Sequence, residues 1–192
     1  MTLERKSVLE PIKIEKNGIL VEEVPFVKKL NLRGNPQDKD FLSTLGSIFE
    51  ILIPLDPNTK VQNDKVQIIW LSPTEWLVNF FNDKNYNTIL EDLKSRLNVQ
   101  KTSITDISEN KTILRLEGSN VLSLLKKFMI LDIENVLVSS SKVAQTIFVK
   151  IPILIIKNSK DSSYKSFDIH LNRSHAQYVR DLLIDGNNNL DY

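Results

Sequence analysis

Val66-Gln-Ile-Ile-Trp-Leu-Ser-Pro-Thr-Glu-Trp-Leu-Val-Asn-Phe-Phe81 holds both tryptophans of the chain and places apolar runs on either side of Ser72-Pro73-Thr74-Glu75. The stretch predicts a β-hairpin. β-Branched and aromatic residues lead in, Pro73 fixes φ at the turn, and Trp76, Val78 and Phe80 then alternate with Leu77, Asn79 and Phe81. Residues two apart share one face of a strand, so Trp76, Val78 and Phe80 form an apolar face that needs helices over it.

Working upstream, residues 20–33 carry Phe26, Leu30 and Leu32 at strand spacing and end at the turn Gly34-Asn35-Pro36. A helix is expected next, capped by Asp38 or Asp40, with Phe41, Leu42, Leu45, Ile48, Phe49 and Leu52 along one side. Pro54 and Pro57 should end it, and a polar connection, 56–64, leads into the hairpin. Before residue 19 neither period is present, and 1–18 reads as an extended or partly ordered arm that a partner could order.

Downstream, 82–87 reads as a polar loop, and Ile89, Leu90, Leu93 and Leu97 mark a second helix. Residues 101–107 and 111–117 read as strands joined by Ser108-Glu109-Asn110 in a second hairpin. Val121, Leu122, Leu124, Leu125 and Phe128 follow as a third helix, capped by Ser119 or Asn120. Two β-rich runs, 143–149 and 151–157, lie around Pro152, and 158–163 is a polar turn. A strand at 166–171 then precedes a helix capped by Asn172 or Ser174 and ended by Gly186 in a left-handed cap.

The order from Phe26 to Ile107 is β-α-β-β-α-β, and a similar order recurs from Lys111 to Asp185. The expected class is therefore α+β, with two ferredoxin-like split β-α-β units. The domain would span 19–186 in halves of about 20–108 and 109–186, with 187–192 as a tail. Leu32-Arg33-Gly34 and Leu114-Arg115-Leu116-Glu117-Gly118 occupy matching positions in the halves and read as a weak internal repeat.

A formal net charge of +1 gives no electrostatic case for nucleic acid or an anionic membrane. The apolar runs at 51–55 and 151–156 are far too short to span a bilayer. No apolar segment follows the first charged residues as in a secretory signal, and zero cysteines exclude thiolate sites and fit a reducing compartment, so the expected location is the cytoplasm. The five glycines are too scattered for a dinucleotide fingerprint or phosphate loop. His170 and His175 do not share the one-turn face of a metal pair and read as surface or turn histidines. Ser174, His175 and Asp168 lack the context of a nucleophile elbow.

No catalytic, cofactor-binding or metal residue is thus expected. The polar residues that stand out are interface or motif candidates. Glu75 should close the turn beside Trp76, Asp106 and Arg115 should pair across the second hairpin, and Arg33, Gln145 and Arg173 could hold a partner's carboxylate or backbone.

Leu32-Arg33-Gly34, Leu71-Ser-Pro-Thr-Glu-Trp-Leu77, Asp106-Ile-Ser-Glu-Asn-Lys-Thr-Ile-Leu-Arg-Leu-Glu-Gly118, Ala144-Gln145-Thr146 and Phe167-Asp-Ile-His-Leu-Asn-Arg-Ser-His-Ala176 together resemble the gamma subunit of heterotetrameric sarcosine oxidase. The resemblance implies a fold like the folate-binding aminomethyltransferase domain of the glycine-cleavage T-protein. It also implies alpha, beta and delta partner subunits in a complex that oxidatively demethylates sarcosine to glycine and hydrogen peroxide, its one-carbon unit passing to tetrahydrofolate or leaving as formaldehyde. FAD, FMN, NAD and zinc would belong to the partners, and none to this chain. The alternative is a stand-alone folate binder, for which Asp106 and Trp76 are the available acid and aromatic platform.

Overall fold

In a computed structural model that describes residues 6–9, 14–158 and 165–189, the chain divides into two compact units. One is the continuous segment 27–109, and the other joins residues before 27 to those from 110 onward. Ile14–Lys16 (β1) and Ile19–Glu23 (β2) form a hairpin across Asn17-Gly18, whose positive φ values of 54° and 66° suit an Asn-Gly turn. The stretch read as an arm thus holds a strand, although 1–5 and 10–13 lie outside the described residues. Glu23 also holds the segment before it: its carboxylate accepts from the Leu9 amide at 3.0 Å and from the Ser7 hydroxyl, and the Leu9 side chain is buried.

The single strand expected over 20–33 is two strands in two different sheets. Pro25 cannot donate to a ladder, and Phe26 adopts a left-handed φ of 62°, so the chain leaves β2 and enters Lys29–Arg33 (β3) in the continuous unit. There Lys39–Phe49 (α1) follows, capped by Asp38, whose carboxylate accepts from the Asp40 and Phe41 amides. Glu50, at φ 57°, ends the helix before the prolines, so Leu52 falls beyond it and is exposed. The polar connection carries a short strand, Lys60–Gln62 (β4), and the central hairpin is present as Val66–Ser72 (β5) and Glu75–Phe80 (β6). Asp83–Arg96 (α2) begins a turn earlier than the apolar pattern implies, because the Asn82 side chain accepts from the Asn85 amide and caps it.

Ser103–Asp106 (β7) pairs with β3, giving the sheet order β4-β5-β6-β3-β7. Strands β5, β6, β3 and β7 are those of a ferredoxin-like split unit, with β4 added at the edge. This overturns the second hairpin: β7 pairs with β3, as the fourth strand of a split unit does with the first, and the strand after it joins the other sheet. Leu30, Leu32, Trp76, Val78 and Phe80 face Leu45, Phe49, Ile89 and Leu93 in the core under the helices.

Lys111–Gly118 (β8) instead lies between β2 and a later strand. Val121–Lys126 (α3) follows without a side-chain cap, since Asn120 donates to the Asn17 carbonyl. A short helix, Ile133–Val136 (α4), precedes the hairpin Val143–Phe148 (β9) and Ile151–Lys157 (β10). Residues 159–163 of the expected polar turn lie outside the described residues. Lys165–Asn172 (β11) leads through a 3₁₀ turn, Arg173–His175, into Ala176–Asn188 (α5), and neither Asn172 nor Ser174 caps that helix. Gly186 does not end α5; a Cβ there would lie 2.5 Å from the Phe128 ring, so glycine serves close packing. The sheet order is β1-β2-β8-β11-β10-β9, and Leu114, Leu116, Ile155, Phe167 and Ile169 face α3 and α5 across a second core.

Candidate functional site

The continuous unit holds four of the sequence-selected residues. Arg33 and Glu75 sit opposite each other on β3 and β6, and the Arg33 guanidinium donates to Glu75 Oε2 at 3.0 Å while Asn31 Nδ2 donates to Oε1 at 2.6 Å. Glu75 thus ties the base of the hairpin turn to the neighbouring strand. Arg33 also borders an open cleft of about 430 Å³ with Thr74, Gln100, Lys101, Thr102 and Ser103. Its amides, hydroxyls and cations can hold a polar group, but the lining contains no paired nucleophile and base. Trp76 is fully buried, with its indole N–H donating to the Pro54 carbonyl at 2.7 Å, so it offers no platform to a ligand.

Asp106 is not paired with Arg115. Its Oδ2 accepts from the Tyr86 hydroxyl at 2.6 Å and its Oδ1 from the Ser108 amide at 2.8 Å. Burial pushes the Asp106 carboxyl up, but the bonds from Ser108 and Tyr86, with the nearby Lys28, outweigh it and hold the group below the usual carboxylate range. Burial and then Asp106 itself raise the Tyr86 phenol. Because folding lowers the Asp106 pKa, the folded chain binds fewer protons there. The contribution is complete above the unfolded value of about 4 and is lost as pH falls through the folded one. Tyr86→Phe is expected to cost about 1 kcal/mol near pH 7, a charge-assisted bond discounted for an exposed acceptor, and the deficit should shrink as pH falls through the lowered Asp106 value. Urea denaturation of both proteins at several pH values measures this; a deficit that persists at low pH would place the loss in packing instead.

In the discontinuous unit, Arg115 and Asp168 are cross-strand neighbours on β8 and β11, joined by a bidentate pair with Nε–Oδ1 2.8 Å and Nη2–Oδ2 3.0 Å. Asp168 raises the Arg115 guanidinium, against burial that opposes it. The Arg173 guanidinium donates to the Lys6 carbonyl at 2.5 Å, and Gln145 lies exposed on β9. His170 is buried on β11 rather than at the surface, whereas His175 lies in the 3₁₀ turn. Among the described residues no group of three or more potential metal ligands assembles.

Sequence reasoning passed over the tip of the β9–β10 hairpin. Val149-Lys150 forms its two-residue turn, and Val149 adopts φ 57°, a left-handed conformation for a β-branched residue. Ile147 and Val149 are 56% and 43% exposed. The Val149 amide donates to the Phe128 carbonyl at 2.9 Å, bringing the tip beside Ile130, whose side chain is fully exposed. The signal in the sequence is a tight turn between β-runs that contains neither glycine nor asparagine.

A model of the sarcosine oxidase gamma subunit family matches residues 33–189. No curated protein matches the chain significantly. Among solved structures, a chain of the heterotetrameric sarcosine oxidase from Corynebacterium sp. U-96, in complex with pyrrole 2-carboxylate, superposes with a TM-score of 0.77 at 21% identity, over 92% of this chain and 87% of that one. The glycine cleavage system aminomethyltransferase T from Bartonella henselae superposes with a TM-score of 0.61 at 13% identity, over 88% of this chain and 46% of that one. At these identities the two structures establish a shared α+β fold.

Proposed function

The chain belongs to the sarcosine oxidase gamma subunit family, and from that premise we propose that it is a non-catalytic subunit supporting assembly of a heterotetrameric sarcosine oxidase. Its partners are alpha, beta and delta subunits, which carry FAD, FMN, NAD and zinc. The complex oxidatively demethylates sarcosine to glycine in the cytoplasm, with the one-carbon unit passed to tetrahydrofolate or released as formaldehyde. The observation that carries the reading is the family match across 33–189. The engagement of the polar residues supports it: Arg33 with Glu75, Asp106 with Tyr86 and Arg115 with Asp168 are structural pairs rather than an acid and base around a substrate. The Arg33–Glu75 pair and the cleft beside it are candidate contacts for a partner, as are Gln145 and Arg173.

Co-expression of a tagged chain with candidate alpha, beta and delta subunits tests the proposal. The eluate should contain all four and produce sarcosine-dependent peroxide, whereas the purified chain should produce none. Recovery of the tagged chain by itself, while the other three assemble and turn over at full rate, would refute it.

A further inference from the structure

We infer that the β9–β10 tip, with Ile130 beside it, is the knob by which this chain docks onto a partner subunit, and that the partner receives it in an apolar hollow with a carboxylate at its edge. The inference rests on the subunit reading above and assigns that reading a surface. Its first support is the turn itself. A two-residue hairpin turn with a left-handed first position is relaxed with glycine or asparagine and strained with valine. The strained turn leaves Val149 exposed on a tip that also carries the exposed Ile147, and Ile130, likewise exposed, lies two residues after the Phe128 carbonyl that holds the tip. The base of the knob is rigid, because Phe128 and Phe148 stack with centroids 4.9 Å apart and the Val149 amide is fixed to the Phe128 carbonyl. A preorganised apolar projection loses little freedom when it is bound.

A second support comes from the sheet edges. The outer strands of the two sheets are β1, β9, β4 and β7. β1 carries Glu15 and Lys16, β4 is three residues long and begins with Lys60, and β7 is four residues long and ends in Asp106. Charge and shortness are the usual guards against unwanted strand pairing. β9 has neither: Val143-Ala-Gln-Thr-Ile-Phe148 is six residues without a charge or a proline, and it runs directly into the knob. An unguarded edge continuous with an apolar tip is the pattern of a surface that is covered in its working state.

The charges near the tip indicate what covers it. Lys150 is exposed and has no ion pair or hydrogen bond among the described residues, and Lys126 and Lys127 precede Phe128 on the adjoining helix. Lys127 is bonded to the carbonyls of Gly186 and Asn189, and Glu134 is bonded to Lys126. Asp132 stands two residues from Ile130, so three lysines face two carboxylates and the excess is a single positive charge, to which a partner carboxylate opposite Lys150 is complementary.

The test uses the co-expressed complex and the full chain by itself, with Val149→Asn, Ile130→Glu and, as control, Val99→Glu at an isolated exposed valine of the continuous unit. Val149→Asn should raise the thermal midpoint of the isolated chain by about 2–4 °C while weakening its retention by tagged partner subunits about tenfold or more. Ile130→Glu should leave the midpoint unchanged and weaken retention similarly. Val99→Glu should alter neither. If the wild-type chain is retained and both knob variants are retained equally well, the docking surface lies elsewhere and the inference is overturned. It is also overturned if Ile130→Glu abolishes self-association of the isolated chain without changing retention, which would make the face a contact between copies. A wild-type chain that is not retained at all would instead refute the subunit reading.

Discussion

Trp76→Ala lowers the unfolding free energy of this chain by about 3–5 kcal/mol, a drop of roughly 6–20 °C in thermal midpoint. The side chain is the largest of those fully buried, and from β6 it enters the core under the helices with its ring 6.0 Å from that of Phe41. Alanine leaves a cavity that the hairpin cannot close, because Leu32 and Trp70 pair with Trp76 on either side and fix its Cα. The Pro54 carbonyl also loses its donor. Trp76→Phe separates the two losses: it keeps much of the volume and should cost about 1–2 kcal/mol for the bond. Urea denaturation of the isolated chain measures both, and a Trp76→Ala protein as stable as wild type would mean that the indole is not a core group.

Gly118→Ala should cost about 2–6 kcal/mol, combining backbone strain with a collision. Gly118 closes β8 at φ 135°, a conformation that side chains with a Cβ avoid. A Cβ there would lie 1.9 Å from the Gly18 carbonyl oxygen, which is backbone and cannot rotate away. The clash falls where Ile19 pairs with Gly118, and its relief is detachment of the β1–β2 hairpin from β8. Hydrogen exchange should therefore show lost protection at the amides of 19–23 well before loss at β8 and β11. Uniform loss across the sheet would mean that the hairpin and the sheet unfold together.

The features legible in the sequence are those fixed by neighbours a few residues apart. The central hairpin follows from Pro73 and the alternation after it, and α1 follows from Asp38 and its apolar stripe. The split-unit order could be read because each element is short and regular. What escaped reading depends on distant partners. β4 has little pattern of its own and is a strand because β5 pairs with it. Arg115 finds Asp168 across a strand pair formed far along the chain, whereas the nearer Asp106 is engaged by Tyr86 on α2. The break between β2 and β3 rests on a left-handed Phe26, a conformation that no local preference of phenylalanine indicates. The apolar tip was equally hidden, since alternation places residues on faces without saying which strand will stand at an edge.

The discontinuity of one unit also orders events during synthesis. Segment 27–109 emerges from the ribosome as an uninterrupted unit with every strand of its sheet, and its nearest-neighbour hairpin can form as soon as it is clear of the exit tunnel. β2 leaves earlier, yet its partner β8 is not made until that whole segment has been translated. Until then β2 is an apolar strand with an open edge, and the loop that must close to pair it is long and slow to form. The nascent chain is therefore most prone to misassociation between completion of the inserted unit and arrival of β8, and a pause placed there would lengthen that exposure.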